Sequence, residues 1–424
     1  MGLETGAKLR GANWSFWILA VTLGVGGLGF AQQAAQPPSQ APQERANRPE
    51  APMDPDRARR LYVSADPEDH PRPNFQRDID DKARIDARYA AASKGVMEFR
   101  KVTYRSSVGD MDIPAYLFQP LQRRGTRGHA AMIWVHGGVH GNWGINMFPF
   151  VKDAVERGYV VICPEYRGST GYGERHYMEI DYGGYEIEDV MSAVDVLKTL
   201  PHVDQDRLGI MGCSHGGYIS LFSVFRETTP FKAASAMVPV TNLIHRLSWS
   251  GPDYQRSFAT QKRIGGLPFE KPDEYIKRSP LFHVDKLQTP LQVHVATNDT
   301  DVWYYENQQI VDALRSRKPD LAETKVYKDP PPGPASGGHT FNRRVNRDTL
   351  QRDDSPEQID SWNRVWTFFD GHLRPYQDPS KPSAAPRLAR DAGGIAAGAA
   401  PVTSAPAASG GPSPSRPRPW RTRG

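Results

Sequence analysis

The sequence predicts an α/β fold in which a mostly parallel central sheet carries helices on both faces. Short apolar segments suited to buried strands alternate with helical segments through the middle of the chain, as in parallel sheets. One of these strands runs directly into a glycine-flanked turn and then into an apolar helix. The chain has 38 glycines and 37 prolines, and the prolines are concentrated towards its two ends, which indicates a folded centre between flexible flanks.

The predicted elements follow one another in an order that fits helical crossovers between parallel strands. Residues 98–105 and 112–118 predict a hairpin, and residues 303–305 are an aromatic run expected to pack a helix start onto the sheet. The further predicted strands are residues 130–135, 159–163, 208–211, 233–238, 291–296 and 324–327. The predicted helices are residues 79–92, 148–156, 185–199, 218–226 and 358–373. A functional site is expected beyond the carboxyl ends of these strands.

Composition divides the chain into four predicted regions. Residues 1–31 predict an export signal, because Lys8 and Arg10 precede an apolar run that ends in small residues at the cleavage position. The other regions are a polar linker and N-terminal extension (32–95), an α/β domain (96–375) and a disordered tail rich in Pro, Ala, Gly and Arg (376–424). We expect a periplasmic or secreted protein, with a membrane anchor through an uncleaved N-terminal segment as the alternative.

The formal charge of +5 lies in the C-terminal tail, which contains seven basic and two acidic residues from residue 378 onward. The rest of the chain is formally neutral, which argues against a basic nucleic-acid groove on the folded part. The two cysteines, Cys163 and Cys213, are too few for a disulfide framework and are expected to be small buried residues. No metal and no other cofactor is expected.

The segment Gly212-Cys213-Ser214-His215-Gly216 lies between a short apolar strand and an apolar helix and has the spacing of a nucleophile elbow. A serine at such a sharp turn adopts a strained backbone conformation, and side chains larger than hydrogen on the flanking glycines would collide with the turn. The turn also places the hydroxyl near a helix N-terminus, where backbone N–H groups stabilise negative charge. We therefore predict Ser214 as a nucleophile, with an incidental glycine-rich turn as the alternative.

Two later segments provide the base and the acid that a serine nucleophile needs. Asp299 follows the predicted strand at residues 291–296 and is the predicted acid, with Asp301 as the alternative. His339 stands in a loop rich in glycine and proline after the strand at residues 324–327, which predicts it as the base. The order serine, acid, histidine is the one found in α/β hydrolases.

Two backbone N–H groups near Ser214 are expected to form an oxyanion hole. One belongs to His215, and the other to the loop of Gly137 and Gly138 after the predicted third strand, with Gly138 as the favoured donor. His136, which precedes these glycines, could ligate a metal, but the sequence places no partner ligands with it. Nucleophile, base, acid and oxyanion loop thus follow separate strands, which predicts a serine hydrolase.

From about residue 98 to residue 374 the sequence resembles the catalytic domain of the prolyl oligopeptidase family of serine peptidases. The resemblance rests on residues 135–138, 164–173, 189–194 and 203–210, on the elbow, on Asp299 with Val302, and on residues 338–339. It implies an α/β-hydrolase fold, a catalytic triad of Ser214, Asp299 and His339, and hydrolysis of peptide or related acyl bonds.

The sequence departs from that family in two respects. Family members usually carry a β-propeller before the catalytic domain, and residues 32–95 are too short and too polar to form one. The positions that match the aromatic pocket of proline-specific members are Leu243 and Arg246, so a preference for proline is not predicted. Val240, Leu243 and Val302 are the candidate pocket residues that remain.

The favoured function is that of a serine peptidase that cleaves short peptide or acyl-amide substrates through an acyl-enzyme. A carboxylesterase acting on acyl or carbohydrate esters is the alternative, because the same site serves both reactions. A noncatalytic binding protein on the same fold would show a broken triad or an occluded pocket. The expected partner is a small peptide or ester, with no nucleic acid and no stable membrane partner unless the N-terminal segment is retained.

Overall fold

A computed structural model of the chain describes residues 73–250, 252–332 and 337–375. The predicted export signal at residues 1–31 and the predicted tail at residues 376–424 lie outside these described residues, as does most of the predicted linker. In the part that the structure describes, no helix combines the length and the apolar character that crossing a bilayer requires.

An eight-stranded sheet forms the centre of the described structure. Its strands are β1 (Glu98–Arg105), β2 (Asp112–Gln119), β3 (His129–Val135), β4 (Val160–Pro164), β5 (Val203–Cys213), β6 (Phe231–Met237), β7 (Leu291–Ala296) and β8 (Ala322–Tyr327). They lie in the order β1-β2-β4-β3-β5-β6-β7-β8. The pairs β1–β2 and β2–β4 are antiparallel and all other neighbours are parallel, which confirms the predicted mostly parallel sheet.

One helix precedes β1, helices connect the successive strands from β3 onward, and a last helix follows β8. They are α1 (Phe75–Ser93), α2 (Phe148–Glu156), α3 (Glu174–Met178), α4 (Tyr185–Lys198), α5 (His215–Val224), α6 (Leu243–Trp249), α7 (Pro252–Ala259), α8 (Pro272–Lys277), α9 (Tyr304–Arg317) and α10 (Pro356–Leu373). All five predicted helices are present. The helices α3, α6, α7 and α8 were not predicted, because five to eight residues are too few for a helical period to show. Of α9, the sequence predicted only a helix start at the aromatic run.

A hydrophobic core lies on each face of the sheet. On one face, α4, α5 and α9 pack against strand residues such as Ile133 and Ile210. On the other face, α1, α2 and α10 pack against the neighbouring strand residues Met132 and Met211. Successive side chains of a strand point to opposite faces, so a strand covered on both sides is apolar at nearly every position. The predicted helices on both faces are thus confirmed.

The N-terminal helix α1 packs on the second of these cores and lies within the segment predicted as linker and extension. It buries only Lys82, Tyr89 and Ser93, and Tyr89 contacts the ring of Tyr116 on β2 at 5.2 Å between centroids. Folded structure therefore begins before residue 96, where the sequence predicts the domain to start. So few buried positions, one of them charged, leave no apolar stripe that would mark α1 as part of the core.

Candidate active site

The turn between β5 and α5 holds Ser214 in a conformation that few residues adopt. Its φ is 58° and its ψ is −122°, which lies outside the broadly allowed regions for residues with a side chain. The turn is held from both sides, because the Ser214 N–H donates to Met237 O at 2.9 Å and Ser214 O accepts from the Tyr218 N–H at 2.9 Å. The structure thus places Ser214 at the geometry predicted for a nucleophile elbow.

The glycines around Ser214 leave no room for a side chain. A methyl group on Gly212 would overlap the backbone of Gly216, and one on Gly216 would overlap the carbonyl oxygen of Val135 at the end of β3. These contacts are with backbone atoms, which cannot swing aside as a flexible side chain can. The close approach of β3, β5 and α5 therefore requires both glycines.

His339 and Asp299 lie together at the same edge of the sheet as Ser214. In the tautomer with a proton on Nδ1, His339 donates to Asp299 Oδ2 at 2.8 Å, and both side chains are buried. The other carboxylate oxygen of Asp299 accepts the backbone N–H groups of Asp301 and Val302, each at 2.9 Å. Asp299 is thus fixed by its own loop, and it in turn fixes the ring of His339 and keeps Nε2 free of that proton.

Asp301, the alternative acid, faces the opposite nitrogen of the same ring. Its Oδ2 lies 3.6 Å from His339 Nε2, and 45% of its side chain is exposed. Arg246 holds the other oxygen of Asp301 at 3.2 Å and also donates to its carbonyl at 3.0 Å. Burial would raise the pKa of the Asp301 carboxyl, but the positive charges of His339 and Arg246 outweigh it and hold that pKa below its usual value.

The loop after β3 brings Gly137 and Gly138 against the elbow. A methyl group on Gly137 would lie 3.3 Å from Ser214 Cβ and 3.0 Å from Cys213 O, so the loop and the nucleophile are nearly in contact. Gly138 has a φ of 78°, a conformation that glycine adopts without strain. The Tyr166 hydroxyl donates to Gly138 O at 2.6 Å and holds the loop in place.

The residue before these glycines, His136, supports the loop. Its Nε2 lies 2.9 Å from Ser169 Oγ, its Nδ1 lies 3.0 Å from Gly137 O, and its ring stacks on Tyr166 at 4.3 Å. Burial lowers the pKa of His136 to about 4, so the ring is neutral near pH 7. Among the described residues, no group of three His, Cys, Asp or Glu side chains could hold a metal ion.

A buried ion pair connects this loop support to α1. Lys82 Nζ pairs with Glu165 and donates to Trp143 O at 3.2 Å, and both charged side chains are almost fully buried. Glu165 also accepts the Trp143 N–H at 3.1 Å, and its second oxygen lies 3.4 Å from His136 Nε2. A polar cluster therefore supports the loop of Gly137 and Gly138, and the positive charge of its ion pair comes from Lys82 on α1.

His215 contributes its backbone at the elbow, while its side chain points into the core. Its ring lies 4.4 Å from Tyr182 and 5.2 Å from Tyr218, and burial lowers its pKa to about 3. Its Nε2 is 3.6 Å from Glu186 Oε1, and burial raises the pKa of that carboxyl to about 8. The predicted oxyanion role of His215 needs only its N–H, which starts α5.

The three side chains predicted to line a substrate pocket are instead buried in the core. Val240, Leu243 and Val302 each have at most 1% of their surface exposed, and all belong to the core on the α5 face. Leu243 begins α6 and Val302 lies just before α9, so the packing of these helices covers them. A side chain without accessible surface cannot line an open pocket, and the pocket prediction is wrong for this structure.

The aromatic run at the start of α9 matches its prediction only in part. Trp303 is 43% exposed and Tyr305 is 58% exposed, while Tyr304 packs partly against the core. Because α9 begins at Tyr304, only one of three consecutive side chains faces the sheet, and its neighbours point outward. Trp303 instead packs on Trp249 of α6, with 5.3 Å between ring centroids.

Both cysteines are free and buried, which confirms their predicted role as small core residues.

Arg343 lies beside the site and was not singled out from the sequence. It follows His339 by four residues, and its Nη2 donates to the His339 carbonyl at 2.5 Å. Only this proximity along the chain could have drawn attention to it.

Residues 146–348, which contain Ser214, Asp299 and His339, match the model described as "Prolyl oligopeptidase family". Over this segment the chain is similar to the prolyl oligopeptidase family. The resemblance predicted from the motifs is confirmed.

Curated relatives agree with this assignment. A Bacillus subtilis (strain 168) protein described as "Uncharacterized peptidase YuxL" is 30% identical over 276 residues, which cover 64% of this chain and 39% of the relative. The acylamino-acid-releasing enzyme of Homo sapiens is 28% identical over 218 residues, which cover 49% of this chain and 29% of that enzyme. The chain therefore spans well under half the length of these relatives.

Solved structures confirm the α/β-hydrolase fold. The acylaminoacyl peptidase of Pyrococcus horikoshii superposes with a TM-score of 0.54 at 19% identity, over 69% of this chain and 45% of that one. A puromycin-hydrolyzing peptidase of Mycobacterium tuberculosis gives a TM-score of 0.53 at 24% identity, over 65% of this chain and 40% of that one. At these identities the likeness concerns the fold.

Proposed function

We propose that this chain is a serine hydrolase that cleaves short peptide or acyl-amide substrates through an acyl-enzyme. The observation that carries the proposal is the buried hydrogen bond between His339 and Asp299 at the sheet edge where the strained turn presents Ser214. Membership of the catalytic segment in a peptidase family supports the same chemistry. The names of the relatives, an acylamino-acid-releasing enzyme among them, favour amide over ester substrates.

In the first half of the reaction, Ser214 Oγ attacks the acyl carbonyl carbon and His339 Nε2 accepts the hydroxyl proton. Asp299 stays ionised and stabilises the imidazolium through the hydrogen bond at Nδ1. The ring is already oriented before substrate arrives, because Asp299 is itself held by two backbone N–H groups. The proton on Nε2 then passes to the leaving amine.

The tetrahedral intermediate places a negative charge on the former carbonyl oxygen, and the N–H groups of His215 and Gly138 stabilise it. Preorganised donors of this kind act only as the charge develops, and loss of one typically costs about 3 to 4 kcal/mol. Gly137 lets the loop approach Ser214 closely enough for this contact. In the second half, His339 activates a water molecule that cleaves the acyl-enzyme and releases the acid.

The proposal is tested with the full chain, a Ser214→Ala variant and a matched Ser316→Ala variant, since Ser316 is exposed at the far end of α9. Each is offered p-nitrophenyl acetate and butyrate together with aminoacyl and acylaminoacyl anilides. We expect Ser214→Ala to lose at least about 10³-fold in kcat on all substrates that are cleaved, and Ser316→Ala to match the wild type. Anilide cleavage supports the peptidase, and cleavage of esters only would replace it with the carboxylesterase.

A further inference from the structure

Arg343 crosses from the His339 loop towards the oxyanion loop. Its Nη2 donates to the His339 carbonyl at 2.5 Å, which fixes the guanidinium close to the catalytic ring. A methyl group built onto Gly137 would lie 3.6 Å from Arg343 Nη1 and 3.3 Å from Ser214 Cβ. The guanidinium and Ser214 thus lie next to the same point of the Gly137 loop.

The guanidinium of Arg343 has N–H groups that are not used in hydrogen bonds within the described structure. Its Nε is buried without a hydrogen-bond partner, and no carboxylate of the described residues pairs with it. Its neighbour Arg344 behaves as a structural arginine does, because it pairs with Asp353 at 2.6 Å. A guanidinium presents five N–H donors in a planar fork, and the usual partner of that fork is a carboxylate or a phosphate.

The charges around the site are distributed unevenly. On the side of the α6 and α9 helices, Asp301 lies 3.6 Å from His339 Nε2 and would repel an anion. Arg246 on the same side is not available for an anionic substrate group, because it pairs with both Asp301 and the buried Glu306. Arg343 lies beside Gly137, and its positive charge also helps to lower the pKa of Asp301 without forming an ion pair with it. An anionic substrate group is therefore favoured beside Arg343, whose guanidinium is not engaged in an ion pair.

We propose that Arg343 binds the free α-carboxylate of the substrate's leaving group, so that bonds next to a C-terminal residue are cleaved preferentially. This inference rests on the proposed function, because the leaving group is defined by attack of Ser214. Charge-assisted Arg–carboxylate hydrogen bonds are about twice as strong as neutral ones and bidentate in favourable cases. The Arg343 contact orients the amine that receives the proton from His339 Nε2.

The test compares substrates that differ only in the charge of the leaving group. Wild type, Arg343→Gln, Arg343→Lys and the matched control Arg344→Gln are assayed with N-acetyl-Ala-Ala, its C-terminal amide, and p-nitrophenyl butyrate. For the wild type and Arg344→Gln, we expect kcat/KM to be at least about tenfold higher for the acid than for the amide. Arg343→Gln should abolish that preference and change the ester rate less than about threefold, with Arg343→Lys in between.

Two results would overturn this inference while leaving the hydrolase proposal intact. One is a wild-type enzyme that cleaves acid and amide equally well. The other is an Arg343→Gln variant in which acid, amide and ester rates fall by the same factor. That result would place the guanidinium at the reacting centre or in folding, since neither role depends on the charge of the leaving group.

A binding measurement separates failure of the inference from failure of the proposed function. Saturation-transfer NMR on Ser214→Ala compares L-alanine with L-alaninamide, and the measurement is repeated on Ser214→Ala/Arg343→Gln. We expect a signal from alanine that disappears in the double variant. If the wild type hydrolyses none of the substrates and the Arg343-dependent alanine signal is still observed, the carboxylate site stands and the hydrolase proposal fails. An alanine signal that is absent or independent of Arg343 overturns the inference.

Discussion

Two carboxylates lie near His339, and they face different nitrogens of its ring. Asp299 Oδ2 is 2.8 Å from Nδ1, whereas Asp301 Oδ2 is 3.6 Å from Nε2. The nitrogen that accepts the serine proton must be unprotonated in the resting enzyme, so the orienting acid has to be the partner of Nδ1. This geometry assigns the orienting role to Asp299 and leaves Asp301 beside the path of the proton.

Replacement of Asp299 or Asp301 by asparagine is expected to lower kcat to different extents. Asp299→Asn should lower kcat by about 10³- to 10⁴-fold, because the amide no longer stabilises the imidazolium or selects the tautomer. Asp301→Asn should change kcat less than about tenfold, because it removes a partly exposed charge that is already shared with Arg246. Steady-state rates on p-nitrophenyl butyrate would measure both. Equal losses in the two variants, or a larger loss for Asp301→Asn, would refute the assignment.

The sequence was sufficient to predict the reacting residues but not their surroundings. Ser214, Asp299 and His339 could be predicted because each stands in the segment that follows a strand and because they occur in a fixed order along the chain. Arg343 and the contact of Asp301 with Nε2 could not, because they depend on how three loops fold back over the sheet edge. Val240, Leu243 and Val302 were misplaced for the same reason, since the sequence does not show how α6 and α9 pack over them.

The helix α1 is connected to the oxyanion loop by a buried ion pair rather than by apolar packing alone. Lys82 pairs with Glu165, and the second oxygen of Glu165 lies 3.4 Å from His136. Lys82 Nζ also lies 4.3 Å from the centre of the Tyr116 ring, a cation–π contact. An isolated helix with three buried residues would be marginal, so this pair helps to fix the position of α1 together with the packing of Tyr89.

This pair predicts an asymmetry between single and double substitutions. Lys82→Met should lower the free energy of unfolding by about 3 to 5 kcal/mol, because it leaves Glu165 charged and unpaired in the core. Lys82→Met/Glu165→Gln should recover a large part of that loss, since an uncharged pair carries no such penalty. Urea unfolding followed by circular dichroism measures the difference. A double variant no more stable than Lys82→Met would show that the pair is not responsible for the loss.

The chain as a whole combines the described α/β-hydrolase structure with segments at both ends whose predicted roles remain predictions. Residues 1–31 predict export, and the tail from residue 378 carries the whole formal charge. N-terminal sequencing of the mature protein would reveal cleavage near residue 31, and an intact N-terminus in a membrane fraction would favour the anchor instead. The described part is consistent with either result, since its site is complete without those segments.

Covalent labelling shows directly whether Ser214 is the nucleophile. The full-length wild type, Ser214→Ala and His339→Gln are treated with a fluorophosphonate, and the adduct is located by peptide mass mapping. We expect a single adduct on Ser214 in the folded wild type, which a cleavable substrate suppresses, and almost none in either variant. A folded wild type that stays unlabelled, or a His339→Gln variant that labels as fast as the wild type, would contradict the proposed nucleophile and base.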